Sequence, residues 1–230
     1  MEKYLAFEKK FGLDFKDKKI LEQAFIHRSY INENKSLDLE HNERLEFLGD
    51  AVLELVVTDF LFHKYPDTKE GILTAYRSAL VRTESISAAA RKMGMNDLLK
   101  LSKGEARDEG RARDYILANT FEAFIGATYL DQGYESAKKV IAGSLFNNIE
   151  EVIKKGTWKD PKSYVQEMAQ EHYSETPRYE TVSAEGPDHD KHFVMAIYFG
   201  DREVARGEGN SKQKAQQDAA KNALDAEGWE

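Results

Sequence analysis

The order of apolar and polar positions divides the chain in two. From residue 1 to about residue 155 apolar side chains recur at helical spacing, no stretch alternates in strand fashion, and Gly, Pro and Asn mark the breaks. This pattern predicts helices over Tyr4–Phe11, Lys18–Phe25, Arg44–Tyr65, Glu70–Leu80, Thr83–Met93, Asp114–Asp131 and Tyr134–Lys154. The charged run from Lys103 to Arg113 reads as a loop, either a solvated connection or one that faces phosphate.

Helical periodicity stops over residues 156–159, a short linker. Asp160 then offers an N-cap and Pro161 a first helical position, opening a helix through about Tyr173. Three strands follow, over about Arg178–Ala184, His192–Phe199 and Glu203–Gly209. Phe193, Met195, Ile197 and Phe199 alternate in the second, and Gly200 and Asp201 turn into the third. Ser211 caps a last helix whose Ala215, Ala219, Ala220, Ala223 and Leu224 form a small-residue face suited to a sheet. The expectation is a mixed α and α/β chain: an all-α domain over 1–155, a linker over 156–159, and a small α-β-β-β-α domain over 160–230.

One of the predicted helices carries chemistry. The segment Arg44–Tyr65 is apolar almost all round, which marks it for burial in its own domain or in an interface. Yet Glu43, Glu46 and Asp50, spaced i, i+3, i+7, share one narrow stripe of it. Burying an unpaired carboxylate costs several kcal/mol, and neighbouring like charges raise each other's pKa unless a cation compensates. A hard divalent ion with oxygen ligands supplies that compensation. Glu43 and Glu46 could instead serve the positive end of the helix dipole, with Arg44 or Arg28 as ion-pair partners; Asp50 lies two turns in, beyond the dipole's help. A second nearly all-apolar helix, from Ile116 to Leu130, carries one amide and one acid, Asn119 and Glu122, at i, i+3, and reads as the opposite wall of the same site. Gly49 and Gly126 lie close to these acids, one on each helix. A glycine inside a helix costs about 1 kcal/mol relative to alanine, so a close backbone approach is a reasonable motive for both.

Composition narrows the partners. The net charge is −8, with 24 basic and 26 acidic side chains over residues 1–156 and 9 and 15 over residues 157–230. Indiscriminate polyanion binding is therefore not expected, and a nucleic-acid site has to be a local patch. Ser211-Lys212-Gln213-Lys214 is such a patch: it puts two lysines where a helix dipole is already positive, which becomes favourable when an anion sits there. His189 offers a hydrogen-bonding tip to the loop before the second strand, and strand spacing sets it and His192 on opposite faces, against a metal pair. There is no cysteine, which excludes disulfides and thiolate metal sites. The first ten residues are charged throughout, without an apolar run of signal-peptide length, and nowhere do about 18 apolar residues run uninterrupted. No membrane segment and a cytoplasmic location are expected.

The run Glu43-Arg44-Leu45-Glu46-Phe47-Leu48-Gly49-Asp50-Ala51 resembles the signature of bacterial ribonuclease III. The resemblance extends to His27-Arg28-Ser29-Tyr30, Arg77-Ser78-Ala79-Leu80-Val81, the Glu122 helix, and a C-terminal region similar to a double-stranded RNA-binding domain. It implies an all-α endonuclease domain in which Glu46, Asp50, Asn119 and Glu122 ligate a catalytic Mg²⁺, with Mn²⁺ as a possible substitute, and catalysis depends most on Asp50 and Glu122. Glu43 and Glu70 match further acids of the family. It also implies a homodimer that cuts double-stranded RNA to 5′-phosphate and 3′-hydroxyl ends in processing of ribosomal and messenger precursors. Phe47 matches the aromatic residue packed into the partner subunit, with burial in the core of its own subunit as the plainer alternative. Gln166, His189, Ser211, Lys212 and Lys214 match the family's RNA contacts, which read duplex shape over about 16 base pairs. Asn119 stands where the family usually has Asp; its neutral carbonyl can still meet a hard ion but removes one negative charge. An RNA-binding dimer that cleaves weakly is therefore the second reading.

Overall fold

The structure is a computed structural model. It describes the chain except residues 108–109, 155, 157, 159, 188–190 and 230, and the side chain of residue 148. The chain forms two compact units, Met1–Trp158 and Lys159–Glu230.

The first unit contains α1 (Glu2–Lys10), α2 (Lys18–Gln23), α3 (Arg28–Glu33), α4 (Glu43–Lys64), α5 (Glu70–Val81), α6 (Thr83–Met93), α7 (Arg111–Leu145) and α8 (Ile149–Lys154). Its centre is the packing of α4 along α7, the broadest contact in the unit. Leu53, Val56 and Val57 of α4 and Leu117, Phe121, Phe124 and Ile125 of α7 are fully buried. Side chains of this size contribute roughly 1.5–3 kcal/mol each on leaving water, enough to hold two helices together despite acids at their edge. Phe7, Phe25 and Phe124 close one end; the Phe7 and Phe124 rings meet edge to face at 5.1 Å.

Gly49 and Gly126 have the role their positions suggested. A Cβ on Gly49 would overlap the carbonyl oxygen of Glu122, and one on Gly126 would overlap that of Leu45. The two backbones touch there, so neither position admits a side chain without moving a helix.

Three features differ from the pattern-based expectation. The short α3 was not anticipated: its six residues include no fully buried side chain, so no apolar periodicity betrays it, and its cap is His27 Nδ1 accepting from Ser29 N–H at 3.3 Å. The run 103–113 is not all loop. Glu105–Arg107 form a 3₁₀ turn, and α7 begins at Arg111, with Arg113 buried and donating to Asn96 Oδ1 at 3.0 Å and to the Glu105 carbonyl at 2.6 Å. The expected Tyr134–Lys154 helix ends at Leu145 and resumes as α8 after a 3₁₀ turn in which Phe146 stacks on Phe60 of α4 at 3.7 Å. Gly133, at φ +80°, breaks α7 where a helix boundary was predicted.

The second unit runs α9 (Pro161–Tyr173), β1 (Arg178–Glu185), β2 (His192–Phe199), β3 (Arg202–Gly209) and α10 (Lys212–Glu227). The strands form an antiparallel sheet in the order β1-β2-β3, with Tyr179 opposite Ile197 and Ile197 opposite Ala205. Gly200, at φ +57°, makes the turn between β2 and β3. Ala215, Ala219, Ala220 and Ala223 are fully buried under the sheet. The fit is tight because β3 is glycine at 207 and 209; a Cβ on Gly207 would overlap the backbone nitrogen of Ala219.

Candidate active site

The stripe of acids on α4 faces α7 beside the glycine contact. Glu46, Glu122 and Asn119 are half-buried and Asp50 is exposed. Burial raises the pKa of the Glu122 carboxyl to about 8, with the charges of Asp50, Glu46 and Glu54 adding to the shift in that order. Glu46 is likewise raised, first by burial and then by Glu43 and Asp50, while the Asn119 amide pulls the other way. These mutual effects identify one electrostatic cluster built from both helices. Its members stay close because Gly49 and Gly126 let α4 and α7 touch.

Guanidinium partners take some of the acids and leave others. Arg28 Nη1 lies 3.5 Å from Glu43 Oε1, and His41 Nδ1 lies 3.8 Å from Glu43 Oε2, so Glu43 is held by the ion pair that the simpler reading anticipated. Glu54, one turn beyond Asp50 and not singled out by the sequence pattern, pairs with Arg77 Nε at 2.9 Å. Its signal was available, since i+11 continues the stripe. Among the described residues no Lys or Arg pairs with Glu46, Asp50 or Glu122. Glu70 stands apart: it accepts from Thr74 Oγ1 at 3.1 Å and is not among the charges acting on Glu46 or Glu122.

The donor set is all oxygen and, among the described residues, no Lys or Arg forms an ion pair with Glu46, Asp50 or Glu122, which is the chemistry a hard divalent ion requires. Within the described residues no three His, Cys, Asp or Glu side chains form a ready-made cage. Uncompensated carboxylates repel, so an ion would have to draw Glu46, Asp50 and Glu122 together, with the Asn119 carbonyl as the neutral ligand.

Phe47 is not in the core. It is 83% exposed and projects from α4 on the same side as exposed Leu55 and Phe62, an apolar stripe on a helix that buries only its other side, with Leu53, Val56 and Val57, and not the whole of its length as its composition suggested. In the second unit Gln166 is exposed on α9, and Ser211 Oγ accepts from the Lys214 backbone N–H at 3.2 Å, leaving Lys212 and Lys214 exposed in the first turn of α10. Lys162 donates to Gln216 at 2.8 Å, which sets the start of α9 beside the start of α10. His189 lies outside the described residues.

Fold and site together define a helical nuclease domain followed by a double-stranded RNA-binding motif. The family models agree: residues 17–149 match "Ribonuclease-III-like" and residues 161–226 match "Double-stranded RNA binding motif". The chain is 44% identical over 219 residues to ribonuclease 3 of Protochlamydia amoebophila, covering 95% of this chain and 90% of that protein. It is 43% identical over 220 residues to ribonuclease 3 of Streptococcus equi subsp. zooepidemicus, covering 94% of each. Among solved structures, the nuclease domain of ribonuclease III from Campylobacter jejuni, described as flexible in a region involved in dimer formation, superposes with a TM-score of 0.54. It is 38% identical and covers 60% of this chain and 95% of that one. The chain belongs to the ribonuclease III family and is an endoribonuclease that processes double-stranded RNA. This family is metal-dependent. No helix among the described residues is long and apolar enough to cross a membrane.

Proposed function

We propose that the chain cleaves double-stranded RNA as a homodimer with Mg²⁺, or Mn²⁺ in its place, held by Glu46, Asp50, Asn119 and Glu122, leaving 5′-phosphate and 3′-hydroxyl ends. The observation that carries this reading is the Glu46, Asp50 and Glu122 cluster, whose charge no Lys or Arg among the described residues offsets. A bound divalent cation supplies Lewis-acid chemistry, making water a better nucleophile and offsetting charge that builds on the phosphoryl oxygens.

The chain's own groups set the conditions for that chemistry. Glu122, with its pKa near 8, holds a proton at neutral pH until positive charge arrives, so ion binding releases a proton. Asp50 and Glu122, one from each wall, are the carboxylates on which rate depends most. Asn119 orients an oxygen without adding charge, which lowers metal affinity relative to an acid. Glu43 and Glu70 act from outside this set, on substrate or on a second ion. Phe47, exposed in an apolar stripe, is the contact through which two copies assemble. Gln166, His189, Ser211, Lys212 and Lys214 grip the duplex by shape and phosphate. Ribosomal and messenger precursors are the substrates that go with this activity, and the cytoplasm is where such processing occurs.

The test is a long RNA duplex incubated with the protein, with and without Mg²⁺, scored for cutting and for gel retardation. Cutting only with the ion, to 5′-phosphate ends, is expected, and Asp50→Asn should lower it at least roughly tenfold. Retardation without cutting at every metal concentration would defeat the proposal.

A further inference from the structure

Away from the carboxylates, the ends of α1 and α6 and the part of α7 beyond Gly133 enclose a cleft of about 590 Å³. Its walls are largely apolar, with Phe11, Met93 and Val140 among them, and no acid among the described residues lines it. Three lysines, Lys10, Lys92 and Lys139, are among its lining residues. Lys10 Nζ donates to the Met93 carbonyl at 3.1 Å, and Lys139 Nζ lies where a Cβ on Gly12 would be 3.5 Å away. Lysines in the last turns of α1 and α6 suit the negative ends of those helices, which accounts for Lys10 and Lys92. It does not account for Lys139, which lies in the interior of α7. Neither Lys92 nor Lys139 has a carboxylate partner among the described residues, in a chain whose net charge is −8.

A second observation concerns Gly143. It lies inside α7 with helical geometry, where glycine costs about 1 kcal/mol relative to alanine, and a Cβ there would meet nothing within 4 Å. Unlike Gly49 and Gly126, it relieves no contact with another helix. Its effect is to keep the wall of the cleft open.

We infer that this cleft binds a small amphipathic anion, an alkyl or acyl chain ending in a carboxylate or phosphate. The volume lies in the range of small-molecule sites. Apolar walls take the chain, and the lysines take the head group. A nucleobase fits less well: its polar edges would face Phe11, Met93 and Val140 unpaired, and the nearby Ser144 hydroxyl is already bonded to the Val140 carbonyl.

The experiment is calorimetric titration of the full chain with decanoate and decyl phosphate below their micellar concentrations, against 1-decanol and inorganic phosphate. The two amphipathic anions should bind, with decanol and inorganic phosphate weaker by roughly tenfold or more. Gly143→Leu fills the open wall without straining the helix and should abolish decanoate binding. Should that variant unfold, Lys92→Gln with Lys139→Gln is the independent check; it should weaken decanoate by roughly tenfold and leave decanol unchanged. Failure of decanoate to bind, equal binding of decanol or of inorganic phosphate, or unchanged binding in the variants would overturn the inference. So would a loss of RNA-duplex affinity in the lysine pair, which would make these cations part of the nucleic-acid surface instead.

Discussion

Gly49 lies directly against the backbone of Glu122, so the residue that keeps α4 free of a side chain also fixes how near the α7 carboxyl comes to Glu46 and Asp50. Gly49→Ala should therefore cost about 1–3 kcal/mol or more by overpacking, against the gain of up to about 1 kcal/mol that alanine normally gives inside a helix. Urea unfolding of Gly49→Ala and Gly126→Ala should show both destabilised. Equal or higher stability in either would mean that α4 and α7 do not touch there.

Glu122 makes stability depend on pH. Its folded pKa of about 8 exceeds the ordinary 4.5, so the folded chain holds a proton that the unfolded chain has released. The stability from this group is complete below about pH 4.5 and is lost as pH rises toward about 8. In a chelator, the melting temperature should rise on going from about pH 8 to about pH 6, and Glu122→Gln should flatten that slope. The same variant should retain duplex binding while losing cleavage by roughly a hundredfold or more.

Asn119 tunes the affinity for the ion. Asn119→Asp adds a carboxylate next to Glu46, pushing Glu46 further above its ordinary range in the metal-free protein and lowering the Mg²⁺ concentration for half-maximal cleavage by roughly tenfold. A magnesium titration of the two proteins measures the difference. An unchanged midpoint would remove residue 119 from the ligand set.

Phe47 should control assembly without supporting the fold of its own subunit. Phe47→Asp places a charge in the apolar stripe it shares with Leu55 and Phe62, so sedimentation should report a monomer whose helical circular dichroism is intact. A variant that stays dimeric would put the interface elsewhere.

Lys212 and Lys214 should act through phosphate. Replacing both with Gln should weaken duplex binding about equally across sequences and reduce the salt slope by about 2. A sequence-dependent loss would point to base contacts instead.

Much of this was legible in the chain itself. Local rules suffice where periodicity is strong: the Asp160 cap with Pro161, whose carboxylate accepts from Ser163 N–H at 3.0 Å, the boundary at Gly133, and the alanine face of α10 all follow from spacing. The i, i+3, i+7 acids and the two helix glycines were equally visible, because burying charge and placing glycine in a helix both cost free energy that needs a reason. Three-dimensional packing decided the rest. It decided that Glu43 pairs with Arg28 and not Arg44, and that Arg77 takes Glu54 while no described Lys or Arg pairs with Glu46, Asp50 or Glu122, since a long side chain's partner depends on which helix folds beside it. It also turned Phe47 outward, where an apolar helix leaves the direction undetermined, and gathered three lysines from α1, α6 and α7 around one cleft, a grouping of residues as far apart as 10 and 139 that no local pattern encodes.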